Sequence, residues 1–181
     1  MISLPQHDPF YHEEQRFNQW WIVLPMLVPC GLVLFGLYVR IVLGQPFGHV
    51  GSKPAPLWLD VTMFFVIGVV LPYLMLRLRL EVAVYPDGLY YKFHGLHLRW
   101  HRMGYDEMKN TTAVKYRPIM EYGGWGIRIG VNKKAYNVSG NEGVLIELKN
   151  GKTVLFGSRR MLEFDAALRQ FVFHTNSGFT K

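Results

Sequence analysis

Two long apolar runs limit what this chain can fold into more than any other feature. Trp20 to Leu43 spans 24 residues with Arg40 as its only charge, and Leu57 to Leu76 is a second run with Asp60 as its only charge. A helix of about 20 apolar residues crosses a hydrocarbon core about 30 Å thick. Both runs pass that test, and the Gly- and Pro-rich stretch GQPFGHVGSKPAP over 44–56 makes a short connection. The pattern predicts a membrane α-helical hairpin: transmembrane helix 1 over 20–43, an extracytoplasmic loop over 44–56, and transmembrane helix 2 over 57–79. The first run lacks a basic start and follows Glu13 and Glu14, so it reads as a retained anchor rather than a secretory signal. Arg16, Arg77 and Arg79 flank the runs on the terminal side, against Arg40 and Lys53 around the loop. By the positive-inside rule both termini are expected in the cytoplasm. Pro25, Pro29 and Pro72 should kink the helices, because each removes a backbone donor.

Residues 1–19 read as a tail followed by a juxtamembrane helix, since Phe10, Phe17 and Trp21 recur at helical spacing. At Leu76 the period drops to two, with Leu78, Leu80, Val82 and Val84 alternating with Arg77, Arg79 and Glu81. Short alternating segments follow over 80–85, 89–94, 96–102, 111–117, 125–131, 134–139, 144–149 and 153–156. Turn signals separate them at Pro86-Asp87-Gly88, Gly95 and Asn150-Gly151. Phe164, Leu168, Phe171 and Val172 then fall at i, i+4, i+7 and i+8, the stripe of an amphipathic helix. Seven to eight strands and one helix within 80–173 predict a small antiparallel barrel or sandwich plugged by that helix, with a flexible tail over 174–181.

Two spans followed by EYGGWGIR, KAYNVSGNEGVLIEL, KNGK and GSRR ahead of a final helix resemble small prokaryotic membrane proteins of unknown function that carry a bacterial pleckstrin-homology-like domain. The resemblance covers about residues 10–173. It implies an α+β, mainly-β fold, a bent antiparallel barrel capped by a C-terminal helix. It also implies a bacterial or archaeal plasma (inner) membrane location, and it brings no activity and no catalytic residues.

No pattern of catalytic residues stands out. Gly124, Gly126 and Gly130 give G-x-G-x-x-x-G running into a strand, whereas a dinucleotide fingerprint needs G-x-G-x-x-G opening a helix. At period two, Trp125, Ile127, Ile129 and Val131 share one face and Gly124, Gly126, Arg128 and Gly130 the other, which predicts a strand with a buried apolar face and a bare one. His94, His97 and His101 suggest a metal cluster. On one strand, however, His97 and His101 would stand about 13 Å apart, too far to share an ion. His12 in HEEQR has Arg16 where a zinc-protease helix needs a second histidine, and Ser139 lacks a nucleophile elbow. Asn137, Ser139 and Asn141 read as turn residues. The single cysteine, Cys30, makes no internal disulfide. No metal and no cofactor are expected.

From Arg77 onward the chain has 17 Lys and Arg against 9 Asp and Glu, so that part carries +8 and the first 76 residues −1. A basic domain beside a bilayer favours anionic lipid over nucleic acid as neighbour. Arg77, Arg79, Arg99, Arg102, Lys133, Lys134, Arg159 and Arg160 are the candidates for that contact. Specific inositide binding at the first hairpin is not expected, because the Tyr85–Gly88 turn has no basic residue. The leading reading is a non-enzymatic interaction domain at the cytoplasmic membrane face, binding a protein partner or copies of itself. Its means would be an edge strand or the groove beside the C-terminal helix. Tyr122, Trp125, Arg128, Tyr136 and Asn137 are the candidate contact residues, aromatic and arginine groups set near glycine. The alternative is a small oligomeric channel or transporter subunit whose domain forms a cytoplasmic vestibule.

Overall fold

The computed structural model describes residues 4–5, 7–17, 20–45, 49–50, 53–54 and 56–176. The first three residues, the side chains of Trp21 and Pro25, much of the 44–56 loop and the tail from 177 onward lie outside the described residues. In chain order the elements are β1 (Tyr11–Arg16), α1 (Trp20–Ile41), β2 (His49–Val50), β3 (Lys53–Pro54), α2 (Leu57–Met63), a π-helical segment (Phe64–Val70) and α3 (Leu71–Arg77). They continue with β4 (Arg79–Tyr85), β5 (Gly88–His94), β6 (His101–Met103), a 3-10 turn (Tyr105–Glu107) and β7 (Met108–Lys115). Last come α4 (Pro118–Tyr122), β8 (Gly126–Ile129), β9 (Lys133–Asn137), β10 (Glu142–Leu148), β11 (Thr153–Gly157) and α5 (Met161–Asn176). The chain divides into two compact units, one running to Arg16 and resuming at Leu78, the other Phe17–Arg77.

The helical unit corrects the expected two-span hairpin. Among the described residues one helical stretch, Leu57–Arg77, with mean hydropathy 2.1, is long and apolar enough to cross a membrane. Within α1 the described apolar stretch is Leu27–Ile41, shorter than the about 20 residues a span needs. The helix itself ends at Ile41, two residues before the first apolar run does. The second helix stops at Arg77 rather than 79 because β4 begins there.

Pro72 leaves a clear trace in this unit. Along the π-helical segment the N–H of Leu71 reaches back five residues to the Val66 carbonyl. In the same pattern the Ile67 carbonyl would be served by residue 72, a proline without an N–H. The Cys30 thiol of α1 donates to that carbonyl instead, at 3.6 Å. Nearer the other end of α1, Arg40 and Asp60 pair at 2.8 Å, so the two charges of the apolar runs neutralise each other.

The β-rich unit holds two sheets rather than one bent antiparallel barrel. The first has strand order β1-β4-β5-β6 and the second β7-β10-β11-β9-β8. In the second, β9 and β11 pair in parallel, with Lys134 opposite Val154 and Tyr136 opposite Phe156. The Asn150-Gly151 turn explains this arrangement. It folds β11 back along β10, and β11 inserts between β10 and β9, which are themselves antiparallel, so β11 must run with β9. Local pattern announces a hairpin but not an insertion, and the expected barrel fails at that point.

β1 is a second correction. Residues 11–16, expected as a juxtamembrane helix, form an edge strand paired antiparallel to β4 from Tyr11 opposite Val84 to Arg16 opposite Arg79. Its burial alternates strictly, with Tyr11, Glu13 and Gln15 inside. A third correction is the segment 96–102, expected as a strand. It is mostly turn, with only His101–Met103 paired to β5.

The core lies between the sheets and under α5. Leu80, Leu89, Phe93, Met108, Ile146, Leu155, Phe156 and Leu168 are fully buried, and each such side chain contributes about 1.5–3 kcal/mol relative to exposure. On α5 the expected stripe is inside at Phe164, Leu168 and Val172, while Phe171 stacks on Tyr105 at 5.2 Å. Tyr11 lies flat on Phe164 at 4.9 Å, which ties β1 into the same core.

Candidate functional site: a short helix and an edge strand

The segment Pro118–Ile129 builds an exposed corner of the second sheet. Pro118 occupies the first turn of α4, where its missing N–H costs nothing, and Glu121 reaches back to accept the Arg117 N–H at 2.8 Å. Gly123, Gly124 and Gly126 have φ of 74°, 113° and 111°, a backbone region in which L side chains are strained. The glycines of EYGGWG therefore turn α4 into β8, and they are not a phosphate loop. Asn137 then fixes the start of β8. Its Oδ1 accepts the Gly126 N–H at 2.9 Å and its Nδ2 donates to the Tyr116 hydroxyl at 3.0 Å. Burial pushes Tyr116 up to about 12, against the opposing pull of the Asn137 amide.

The five proposed contact residues separate into three groups. Asn137 is fully buried, and Tyr136 is 7% exposed and stacked on Phe156 at 5.2 Å, so both belong to the interior. Tyr122 and Trp125 are half-buried: Tyr122 meets Tyr116 edge-on at 5.7 Å, and the Trp125 indole donates to the Gly140 carbonyl at 3.0 Å. Arg128 alone is exposed. The alternation read from the sequence misassigns this strand, since Ile129 is 75% and Val131 94% exposed instead of buried. β8 is an edge strand with β9 as its one neighbour, so its apolar side chains find no second sheet to cover them.

Sequence reasoning missed the most conspicuous residues of this corner. Ile119 and Met120 on α4 are 65% and 80% exposed, joining Ile129 and Val131. A hollow of about 150 Å³ between α4 and β8 is lined by Tyr122, Arg128, Ile129 and Lys133. The Lys133 ammonium sits 5.1 Å from the centre of the Tyr122 ring and donates to the Glu121 carbonyl at 2.6 Å. The signal that would have found them is PIMEY, a helix of five residues whose Ile and Met have no room to turn inward.

Several of the basic candidates are already paired. Arg79 pairs with Glu14 at 3.3 Å, Arg102 with Asp87 at 3.3 Å, and Arg160 with Glu163 at 3.1 Å while lying over the Tyr11 ring. Arg99, Lys134 and Arg159 are exposed, and Arg77 belongs to the helical unit, over Tyr73.

The histidines sit closer than a continuous strand would allow. Because 95–100 is a turn, the His97 and His101 rings are 4.3 Å apart, and His97 accepts the Phe93 N–H at 3.2 Å. Elsewhere Glu81 bridges His12 and His94 at 2.9 and 2.7 Å. Burial alone would raise Glu81, but the hydrogen bonds from both imidazoles outweigh it and hold the carboxyl below its usual range. Among the described residues no group of three or more His, Cys, Asp or Glu is placed to hold a metal ion.

No known protein family matches the chain, and no curated protein matches it either.

Proposed function

We propose that the protein is a non-enzymatic interaction module whose β-rich unit binds a protein partner over α4 and β8, and whose helical unit inserts into a membrane. The partner reading rests on one observation above all: four large apolar side chains exposed close together in sequence, Ile119 and Met120 on a short helix, Ile129 on an edge strand and Val131 in the bend after it. An edge strand offers unpaired backbone N–H and C=O groups to an added strand, and flanking apolar side chains supply the contact area. Arg128 at its middle gives that contact a charged anchor.

Membrane insertion rests on the helical unit. None of the side chains from Leu57 to Arg77 is buried, and Leu57, Trp58, Phe65 and Leu74 are each about half or more exposed. An apolar surface of that size in water is costly, and lipid removes the cost.

A photo-crosslinking amino acid placed singly at Ile129, Val131 and, as a control, the equally exposed Leu162 of α5 tests the partner site in cells. Discrete adducts at 129 and 131 that are absent at 162 are expected. No adduct at 129 or 131, or the same adducts at all three positions, would overturn the site.

A further inference from the structure

A second cavity, of about 280 Å³, is lined by residues of both sheets of the β-rich unit and shares Val131 and Lys133 with the corner described above. It involves neither the exposed face of α4 nor the Tyr85–Gly88 turn. The parallel register of β9 and β11 builds its inner wall. Lys134 and Tyr136, two apart on β9, share a face, and their partners Val154 and Phe156 share the same face of β11. Tyr136 points into the core, so Lys134 stands above it at the mouth, and Lys152 enters the lining two residues before Val154. Tyr91 from β5 closes the floor, its ring 4.9 Å from that of Tyr136.

Four cations line this space, Arg102, Lys133, Lys134 and Lys152, against one carboxylate, Glu107. Two of the four are committed elsewhere: Arg102 to Asp87, and Lys133 to the Glu121 carbonyl and the Tyr122 ring. Glu107 accepts the Gly104 N–H at 3.2 Å, and its charge offsets that of one lining cation. Among the described residues the ammonium groups of Lys134 and Lys152 have no hydrogen-bond or ion-pair partner. Two unpaired ammonium groups over a tyrosine floor make a donor-rich site with an excess charge of about two. Burial, reinforced by the hydrogen bond with Tyr136, holds Tyr91 far above the ordinary tyrosine range, so the floor stays uncharged at any physiological pH.

We infer that this cavity binds a phosphate monoester, the dianionic group held by Lys134 and Lys152 above the tyrosine floor. A monoester matches the charge, where a diester or a carboxylate would leave one ammonium unanswered. The volume lies at the small end of ligand sites, about 300–1,000 Å³, which suits a phosphate with a body of a few heavy atoms and excludes a full nucleotide. The same chemistry is offered by a soluble phosphorylated metabolite and by a lipid headgroup that ends in a monoester.

The test uses the full chain in detergent micelles, titrated by calorimetry with glycerol phosphate, and separately reconstituted bicelles carrying phosphatidate against bicelles carrying phosphatidylglycerol, a diester. Saturable binding of glycerol phosphate identifies a soluble source, and preference for phosphatidate over phosphatidylglycerol identifies the lipid one. Lys134→Gln and Lys152→Gln should each weaken binding about tenfold, the expected loss of one charge-assisted bond. Lys149→Gln, outside the cavity, should leave binding unchanged, and all three variants should melt with the parent protein. The inference is overturned if neither monoester binds, if the diester binds equally well, or if Lys149→Gln weakens binding as much as the cavity variants.

Discussion

β1 and β8 are both edge strands, each bonded to a single neighbour, yet one is sealed and the other is open. β1 buries polar side chains. Glu13 Oε2 accepts from the Ser158 hydroxyl at 2.6 Å and from the Tyr11 hydroxyl, and Oε1 accepts the Arg159 N–H at 2.9 Å. Gln15 donates to the Gly157 carbonyl at 2.7 Å, and Arg160 donates to the His12 carbonyl at 2.6 Å. The segment Gly157–Arg160, between β11 and α5, thus holds the side chains of that edge strand and caps its His12 carbonyl. At β8 the only comparable clamp is Asn137 at the first residue, and beyond it Ile129 and Val131 face water. A sheet edge can be closed by side chains as well as by another strand, and where they are missing the edge is available to a partner.

The largest expected effect breaks the sealed edge. Glu13→Ala leaves the Arg159 N–H and one of the two hydroxyl protons of Tyr11 and Ser158 without an acceptor, the other being shared between the two hydroxyls 3.0 Å apart, which should cost about 3 kcal/mol in urea denaturation. Asn137→Ala removes the single clamp of the open edge. A loss of about 2 kcal/mol is expected, with faster amide exchange confined to β8 and the Tyr116 region. Gly126→Ala strains one positive-φ position between α4 and β8 and should cost about 1–2 kcal/mol by the same measurement.

A smaller effect depends on pH. Burial, reinforced by neighbouring His101, lowers the His97 ring below its usual 6.5. The fold therefore prefers the neutral ring, and stability present above pH 6.5 should decline as the pH falls through the lowered value. His97→Asn should flatten that decline. The smallest effect on stability is expected for Ile129→Lys, within about 0.5 kcal/mol because the side chain is already exposed. The same change should abolish the adducts formed from position 131, and that separation of stability from contact distinguishes an open edge from a buried one.

What the sequence revealed follows from where the core is apolar. Leu80, Val82 and Val84 read as one face of a strand and are all buried, and Phe164, Leu168 and Val172 read as the inner stripe of α5 and are buried too. Pro86-Asp87-Gly88 and Asn150-Gly151 marked real turns. β1 stayed hidden because its inward positions are Tyr11, Glu13 and Gln15, and hydrophobic periodicity cannot see a strand whose buried side chains are polar. Their partners, Gly157 to Arg160, lie more than 140 residues away. β8 failed in the opposite sense: its alternation is apolar, but an edge position left that face in water. Alternation specifies that two faces differ, and only the neighbours decide which one is covered. At the α4–β8 corner the exposed residues Ile119, Met120, Ile129 and Val131 escaped notice because apolar residues are read as core by default.

Amide hydrogen exchange on the purified full chain compares the two edges directly. Amides of β1 should exchange near the rate set by global unfolding, and those of β8 beyond Gly126 at least about 100-fold faster, a difference of about 2.7 kcal/mol in opening free energy. Equal protection of the two strands, or slower exchange in β8, would contradict a sealed edge at β1 and an open one at β8.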